Sequence, residues 1–482
     1  MPIVKVPLTQ PVYRNIDQSQ LNDDNYLLIN GYTDESGATN TRPGLSSLKD
    51  LGEGSNNGID GLYYWNNKQV GYAVSNGNIY YLTYSSGVLT SQDIGGSSLA
   101  NDVPVSFVSG DKPSVSTEYT FFANGGQILY TDGTTEAAAI ADGDAPTTVT
   151  HIGWLDDYLL AVDEGTGRCY FSDYLDPFSW QSTSFFKAEG NVDNISAMYI
   201  WNREIYLFGT STIEVWENLG DTGTSLPFRR ISGGFVETGT ISKYGIAFAE
   251  NNFYFIDQNR RFVEFNGRTV RELKTSYTKV IEELSTVSDC KAFKIEVSGR
   301  PFILFQFPTA GRSFVYDYAA EEWHEWGKWI GPGENFGAFD LNAYAWCPDW
   351  GVHLAGGIND SLVYQMSQEF DDDNGEKIRI RRVSGHINYG SNENKQCNSM
   401  TLRLKSGYVS DDSEPVMTLR WNDDNKGWSN EMQISLGKMG DYEIVEEVFP
   451  FGIYRTRQYE IVMSDGVKFV VGDIEEDVEV LL

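Results

Sequence analysis

Cations are scarce in this chain. Its 36 Lys and Arg face 68 Asp and Glu, a formal net charge of −32, which excludes ordinary phosphate-backbone binding because such affinity is built from cationic contacts and counterion release. Cysteine is nearly absent: Cys169, Cys290, Cys347 and Cys397 are scattered with no C-x-x-C pair. That excludes a zinc knuckle and a dense disulfide framework, and the expected state is four free, buried thiols. No unbroken apolar stretch is long enough to cross a bilayer, and MPIVKVPLTQ at the start has too short an apolar run for a signal peptide. No H-E-x-x-H, G-x-S-x-G, G-x-G-x-x-G or Walker pattern occurs. The expectation is a soluble protein that assembles with others inside the cell that makes it.

What is abundant points to strands. Forty-eight Gly, 14% aromatic residues and many Asn, Asp, Ser and Thr are the make-up of short strands joined by tight turns, so the fold class is all-β. A length of 482 residues exceeds what one core usually supports, and two or more domains are expected. A loose unit recurs: apolar strand, polar turn, apolar strand, turn, third strand. GLYYWNNKQVGYAVSNGNIYYLT from Gly61 shows it, with Asn76-Gly77 as a two-residue hairpin signal. It returns from Phe121, Gly153, Met198, Gly245, Ile295 and Ala345, which places Tyr81, Tyr130, Phe171, Val215, Glu264, Tyr316 and Tyr364 at equivalent points of the third strands. Their separations, roughly 40 to 52 residues, match one four-stranded propeller blade per unit. About seven blades follow, with six the alternative, and the aromatics are assigned to packing between blades.

Outside the repeat, SYTKVIEELSTVS (Ser276 to Ser288) has Tyr277, Val280, Ile281 and Leu284 at helical spacing behind a Ser able to cap. A short surface helix bridging two blades is expected. Past Tyr364, EFDDDNGEKIRIRR reads as a charged bridge, and the alternating runs after it argue for an antiparallel β-sandwich. The expected division is an N-terminal arm over residues 1–57, a β-propeller over 58–370 and a C-terminal β-sandwich over 371–482.

Candidate chemistry is thin. LRWNDDNKGW from Leu419 approaches the Asp-box pattern S-x-D-x-G-x-x-W, with Asp423 and Trp428 in place but Trp421 and Asn425 where Ser and Gly belong. Glycoside hydrolysis needs two carboxylates about 5 Å or about 6.5–9.5 Å apart. The inner strands HIGWL, SAMYIW, YGIAFA, CKAFKI and NAYAWC offer almost no acid. DDDNGE (Asp371 to Glu376) invites a calcium reading, but its sixth and twelfth positions are Glu376 and Arg382 rather than Gly and Glu; a solvated linker is expected. His151, His324, His353 and His386 lie in separate units and are expected to be structural or exposed. Lys377, Arg379 and Arg381 fall on one strand face, and Arg260, Arg261, Arg268 and Arg271 form a second small basic patch; each could be solvated, or the first could meet acids of a neighbouring subunit. No catalytic, cofactor or metal residue is assigned.

One family resemblance spans most of the chain. YFSDYLDPFSWQSTSFFKAEGNVDNI (Tyr170 to Ile195), REIYLFGTSTIEVWENLGDTGTSLPFRRISGG (Arg203 to Gly234), SYTKVIEEL, RSFVYDYAAEEWHEW (Arg312 to Trp326), TRPGL (Thr41 to Leu45), WSNEMQISLGKMGDYE and GIYRTRQYEI resemble, in order, the tail hub or nozzle proteins of short-tailed phages, the packaged-DNA stabilisation proteins. The resemblance implies a propeller with an added β domain and a homo-oligomeric ring of six copies below the portal and its adaptor, in the virion tail. It also implies a lumen that carries genomic DNA without sequence-specific binding, an outside that docks fibres or spikes, a distal gate or needle, and no enzyme activity. An acidic lumen wall would let DNA slide; solubility is the plainer use of the same charge. The alternative from a different class is a propeller that binds host surface glycan or hydrolyses it.

Overall fold

The computed structural model describes residues 3–6, 27–34, 37–96, 98–188, 190, 193–220, 226–297, 299–331, 335–405, 415–437, 443–449, 452–465, 467 and 470–481. Within them the chain is all-β apart from one helix, Thr278–Glu283. Five blades are free-standing four-stranded antiparallel sheets, starting with strands Ile59–Trp65, Ser106–Lys112, Val149–Leu155, Ile195–Trp201 and Ala247–Ala249. The sixth (Lys291–Val297, Arg300–Phe307, Arg312–Asp317, Glu322–Glu325) and the seventh (Ala343–Cys347, Val352–Gly356, Leu362–Ser367, Gly44–Asp50) are four-stranded units inside larger sheets. The seven aligned residues Tyr81, Tyr130, Phe171, Val215, Glu264, Tyr316 and Tyr364 all fall on third strands.

Seven buried clusters fill the seven seams of the ring. The seam between blades one and two holds Tyr72, Val74 and Phe122, and the last one, closing seven onto one, holds Ile59, Leu62, Val352 and Leu354. Aromatic contacts cross the seams as expected: Phe121 lies stacked on Trp154, Tyr206 packs on Phe253, and Phe262 lies 4.5 Å from Trp323 between ring centroids. Apolar faces buried against both neighbours are what a radial repeat needs, since one blade cannot cover itself. The ring closes because Gly44–Asp50, from the start of the chain, is the outer strand of blade seven, paired with Leu362–Ser367.

Turn chemistry explains the blades' first hairpins. Asp156-Asp157, Asn202-Arg203 and Glu250-Asn251 place both central residues at φ between 46° and 65°, the two-residue geometry that follows strand twist. Asn76-Gly77 joins strands two and three of blade one in the same way, with φ of 51° and 74°. Non-glycine residues pay steric strain there, so Arg203 and Glu250 are held by the flanking ladders rather than by preference.

The expected helix is present between blades five and six, but its cap differs. Tyr277 is the N-cap, without a side-chain cap bond, and the Thr275 hydroxyl accepts the Tyr277 N–H at 3.1 Å. Tyr277 and Ile281 are buried in the seam, so the helix is anchored by apolar packing rather than by a capping serine.

The C-terminal sandwich has two sheets around one core that includes Leu28, Met400, Leu402, Leu419, Tyr459, Ile461 and Ile474. One sheet continues blade six: Glu322–Glu325 pairs with Leu27–Ile29, which pairs with Ile380–Val383, followed by Arg457–Met463, Val416–Asp423 and Met432–Ser435. The other contains Gly31–Thr33, Thr39–Thr41, Val470–Leu481, Asn394–Lys405 and Glu443–Val448, and Ile3–Lys5 pairs with Val470–Leu481. The described strands of the first fifty residues are thus shared between the sandwich and blade seven.

Candidate functional site

The hub is where propellers gather chemistry, because the first strand of every blade lines it. Here all seven blades contribute to one cavity of about 480 Å³. Its middle is apolar and aromatic, while one end gathers Asp60, His151, Lys243, Lys291 and Asn342. These residues stand at or just before the starts of their first strands, so topology alone collects them. Lys291 of blade six donates to Oδ1 of Asn342, the residue before the first strand of blade seven, and Asn342 Nδ2 donates to the Ile59 carbonyl of blade one at 3.0 Å. Three adjacent blades are therefore tied together at this end of the hub.

Burial governs the titrating groups. Asp60 is 3% exposed; one carboxylate oxygen accepts the Asp102 N–H at 3.1 Å and the other has no hydrogen-bond partner. Desolvation lifts its carboxyl to about 7, against the opposing pull of the Lys291 charge, and desolvation also lowers Lys291. His151 is pushed down to about 4 by burial and by the Lys243 charge, so it stays neutral at physiological pH, stacked on Tyr244 at 5.5 Å. Lys243 reaches out to Glu164 at 2.7 Å.

Asp60 is the sole acid among the residues lining this cavity. The two-carboxylate geometry of glycoside hydrolysis is not assembled among the described residues here. Nor does any group of three or more His, Cys, Asp or Glu come together among them in a way that could hold a metal ion.

The other residues singled out by sequence have structural partners. Asp423 grips the fully buried Arg457 guanidinium with both oxygens. Neighbouring Asp424 accepts the Arg455 and Thr456 N–H groups at 2.9 and 3.0 Å, and the Arg420 guanidinium lies 5.0 Å over the Trp428 ring. The degenerate Asp box thus braces the sandwich. The expected solvated linker is corrected: Asp372–Asp373 and Glu376–Lys377 form a hairpin beside blade seven, and Asp373 pairs with the buried Arg42. Arg381 is also buried, bound together with Arg420 to Glu460 inside the chain; Lys377 pairs with Asp465 and Arg379 lies 4.9 Å over Trp329.

The second basic patch is neutralised internally. Arg260 donates to the Glu282 and Leu284 carbonyls at the helix end, Arg261 pairs with Asp257, Arg268 with Glu204, and Arg271 with Glu264 and Glu321. His324 is fully buried and pushed down to about 3 by desolvation and the Arg382 and Arg300 charges. His353 engages the Tyr344 hydroxyl at 2.7 Å, and His386 is exposed. All four cysteines are free and buried.

Sequence reasoning missed Asp60 in GIDGLYYW, the first strand of blade one, where it occupies the same bulge that Thr150 occupies beside His151 in blade three. It also missed Arg42, which sat in plain view within TRPGL.

A protein-family model described as "Bacteriophage P22 Gp10, beta-propeller" matches residues 29–369, the closing strand and all seven blades. The chain belongs to this family. It is accordingly a structural phage protein, and the resemblance to packaged-DNA stabilisation proteins stands. No curated protein matches the chain. Solved structures give distant fold likenesses only. The computationally designed Ika8 protein is 15% identical at a TM-score of 0.37, covering 67% of this chain and 99% of its own. BamB from Moraxella catarrhalis is 14% identical at 0.38, covering 76% and 98%. An exo-β-1,3-galactanase from Phanerochaete chrysosporium is 7% identical at 0.29, covering 91% and 100%. Likenesses that weak carry no functional argument. No helix among the described residues is long and apolar enough to cross a membrane.

Proposed function

We propose that this phage protein is the subunit of a ring-shaped tail nozzle, six copies around an axis, seated below the portal and adaptor in the virion tail and assembled in the host cytoplasm. Packaged DNA is retained and released through the ring, and fibres or spikes attach to its outside, with a needle or gate at the distal end. The observation that carries the reading is the family match across the whole propeller. The geometry supports it: the blades are joined seam to seam, the sandwich continues the sheet of blade six, and the hub holds one acid rather than a catalytic pair.

The hub also bears on where DNA runs. A cavity of about 480 Å³, with Lys291 and Asn342 tying adjacent blades at one end, is of small-molecule size and does not admit a duplex. The lumen is therefore formed between copies, by outer surfaces of the propeller or sandwich. A net charge of −32 per chain makes a low-affinity wall feasible, because without cationic contacts there is little counterion release to hold DNA.

Electron microscopy of tails assembled with and without the protein tests the proposal. The expected result is a truncated tube and loss of packaged DNA when it is omitted. Intact tubes that retain DNA would overturn the proposal, as would a purified protein that turns over host surface polysaccharide.

A further inference from the structure

The nozzle reading gives the hub's polar end no task, yet that end is built at a cost. A carboxylate oxygen enclosed without a partner is expensive, and Asp60 has one. The hydroxyl of Tyr244, which also lines the cavity, likewise has no hydrogen-bond partner. The Lys291 ammonium donates to Asn342 and retains further N–H groups. The same end of the cavity therefore offers acceptors and donors together, with one negative group set among cationic ones.

Above this floor the cavity walls differ from the seams. Seam aromatics such as Tyr72, Phe121 and Tyr206 are fully buried, whereas Trp154, Tyr199, Phe293 and Tyr344 are only partly buried and line the cavity. Tyr199 already donates to the Ile246 carbonyl and Tyr344 is bound to His353. What those two rings leave for a ligand is aromatic surface.

The combination selects a chemical class. A cation would meet Lys243 and Lys291, and an anion would meet Asp60. A neutral ring carrying several hydroxyls suits both, since each hydroxyl donates and accepts while the C–H faces pack on aromatic walls. The volume of about 480 Å³ lies in the range of small-molecule sites. We propose that the propeller hub binds one neutral sugar ring, free or at the end of a glycan chain, and holds it without cleavage. The ring hydroxyls engage the Asp60–Lys291 floor, and no second carboxylate lines the cavity to hydrolyse the bond. Burial raises the Asp60 carboxyl and lowers Lys291, so their charges are soft enough for a neutral partner to replace water.

The test is ligand-detected saturation-transfer NMR on the full chain. One arm uses a panel of neutral hexoses, deoxyhexoses and N-acetylhexosamines, a second uses the matching uronic acids, and a third uses oligosaccharide fragments of host surface polysaccharide. Asp60→Asn and Lys291→Gln, nearly isosteric, are run in parallel, with thermal unfolding to confirm that both fold. The expected result is transfer from the protein to a neutral sugar, weakened about ten-fold or more by either substitution, as for loss of a charged hydrogen bond. Response in the first arm alone identifies a free sugar, and a stronger response in the third identifies a glycan end. The proposal is overturned by no transfer from any neutral sugar, by binding confined to uronic acids, by binding indifferent to both substitutions, or by cleavage of the fragments. None of these outcomes alters the expected behaviour of tails lacking the protein, apart from cleavage, which would overturn the nozzle as well.

Discussion

Arg42 is the place where a single substitution reports on the whole architecture. Its guanidinium is fully buried. It is held bidentately by Asp373 at 2.9 and 2.6 Å, by Asn30 Oδ1 at 2.8 Å, and by the carbonyls of Pro43 and Gly327. Its planar face lies 4.5 Å over the Phe339 ring. Asn30 in turn accepts the Gly327 N–H and donates to the Arg379 carbonyl. One side chain thus ties the closing strand of blade seven, the exit from blade six and the first strand of the sandwich. Asp373→Ala leaves that guanidinium buried without its counter-charge, which costs about 3–5 kcal/mol.

The size of the thermal shift tests the coupling. Unfolding entropy near 60 °C is about 2.1 cal/mol/K per residue, or about 1 kcal/mol/K for a cooperative unit the size of this 482-residue chain. If propeller and sandwich unfold together, Tm falls by about 3–5 °C in one transition. If they unfold apart, the sandwich, roughly 110 residues long, would drop by more than about 10 °C in its own transition. Scanning calorimetry with near-UV and far-UV circular dichroism distinguishes the two. Replacing both partners with apolar residues, Arg42→Met with Asp373→Leu, should recover most of the loss. A fall of less than about 1 °C for Asp373→Ala, or a double variant no better than the single one, would refute the clasp.

Asp60→Asn should stabilise the protein in mild base. The folded carboxyl sits at about 7 against an ordinary 3.8, facing Lys291 and Asp102, so folded Asp60 takes up protons that the unfolded chain has released. Stability is therefore lost as pH rises toward and through 7, by at most about 4 kcal/mol, and melting curves of wild type and variant should converge in acid. Asp193→Ala should act with the opposite sign. Although burial opposes ionisation, the Thr210, Ser211 and Thr212 N–H and hydroxyl groups hold Asp193 low. Its contribution is present above the ordinary 3.8 and lost as pH falls through the lowered value, so the variant's Tm deficit should shrink in acid. The four buried thiols, whose pKa values burial raises, should resist a thiol reagent in the native protein and all react after denaturation; fast reaction of one in the native state would refute its burial.

Much of the propeller was legible because its signal is periodic. Seven third-strand residues could be aligned from turn spacing and apolar alternation alone, and each lies on the strand expected. The aromatics could be assigned to seams because a repeat that buries both faces has nowhere else to put them. What was illegible depends on contacts between distant segments. Nothing local in TRPGL says that Arg42 will meet Asp373, 331 positions away, and DDDNGE looks solvated until that partner is known. KIRIRR looked like a cationic face for the same reason: Glu460, which neutralises Arg381, lies 79 positions on. Asp60 was hidden differently, since one acid in a first strand matters only once the other six first strands are around it.

These buried pairs also say why an acidic chain can be rigid. Arg42, Arg381 and Arg457, among the few cations present, are buried in the sandwich or its joint with the propeller, each against acids of the same chain. Burying arginines there leaves the net charge of the surface unchanged, because each buried pair removes one cation from the exterior along with the acid it neutralises. The net charge of −32 is consequently carried almost wholly by solvent-facing groups. Copies packed side by side must then screen or interleave that charge, so assembly of the purified chain should strengthen with added salt over the range where the Debye length falls from about 30 Å to about 10 Å. Light scattering across that range checks it, and assembly that weakens with salt would show that the subunit contacts are attractive ion pairs instead.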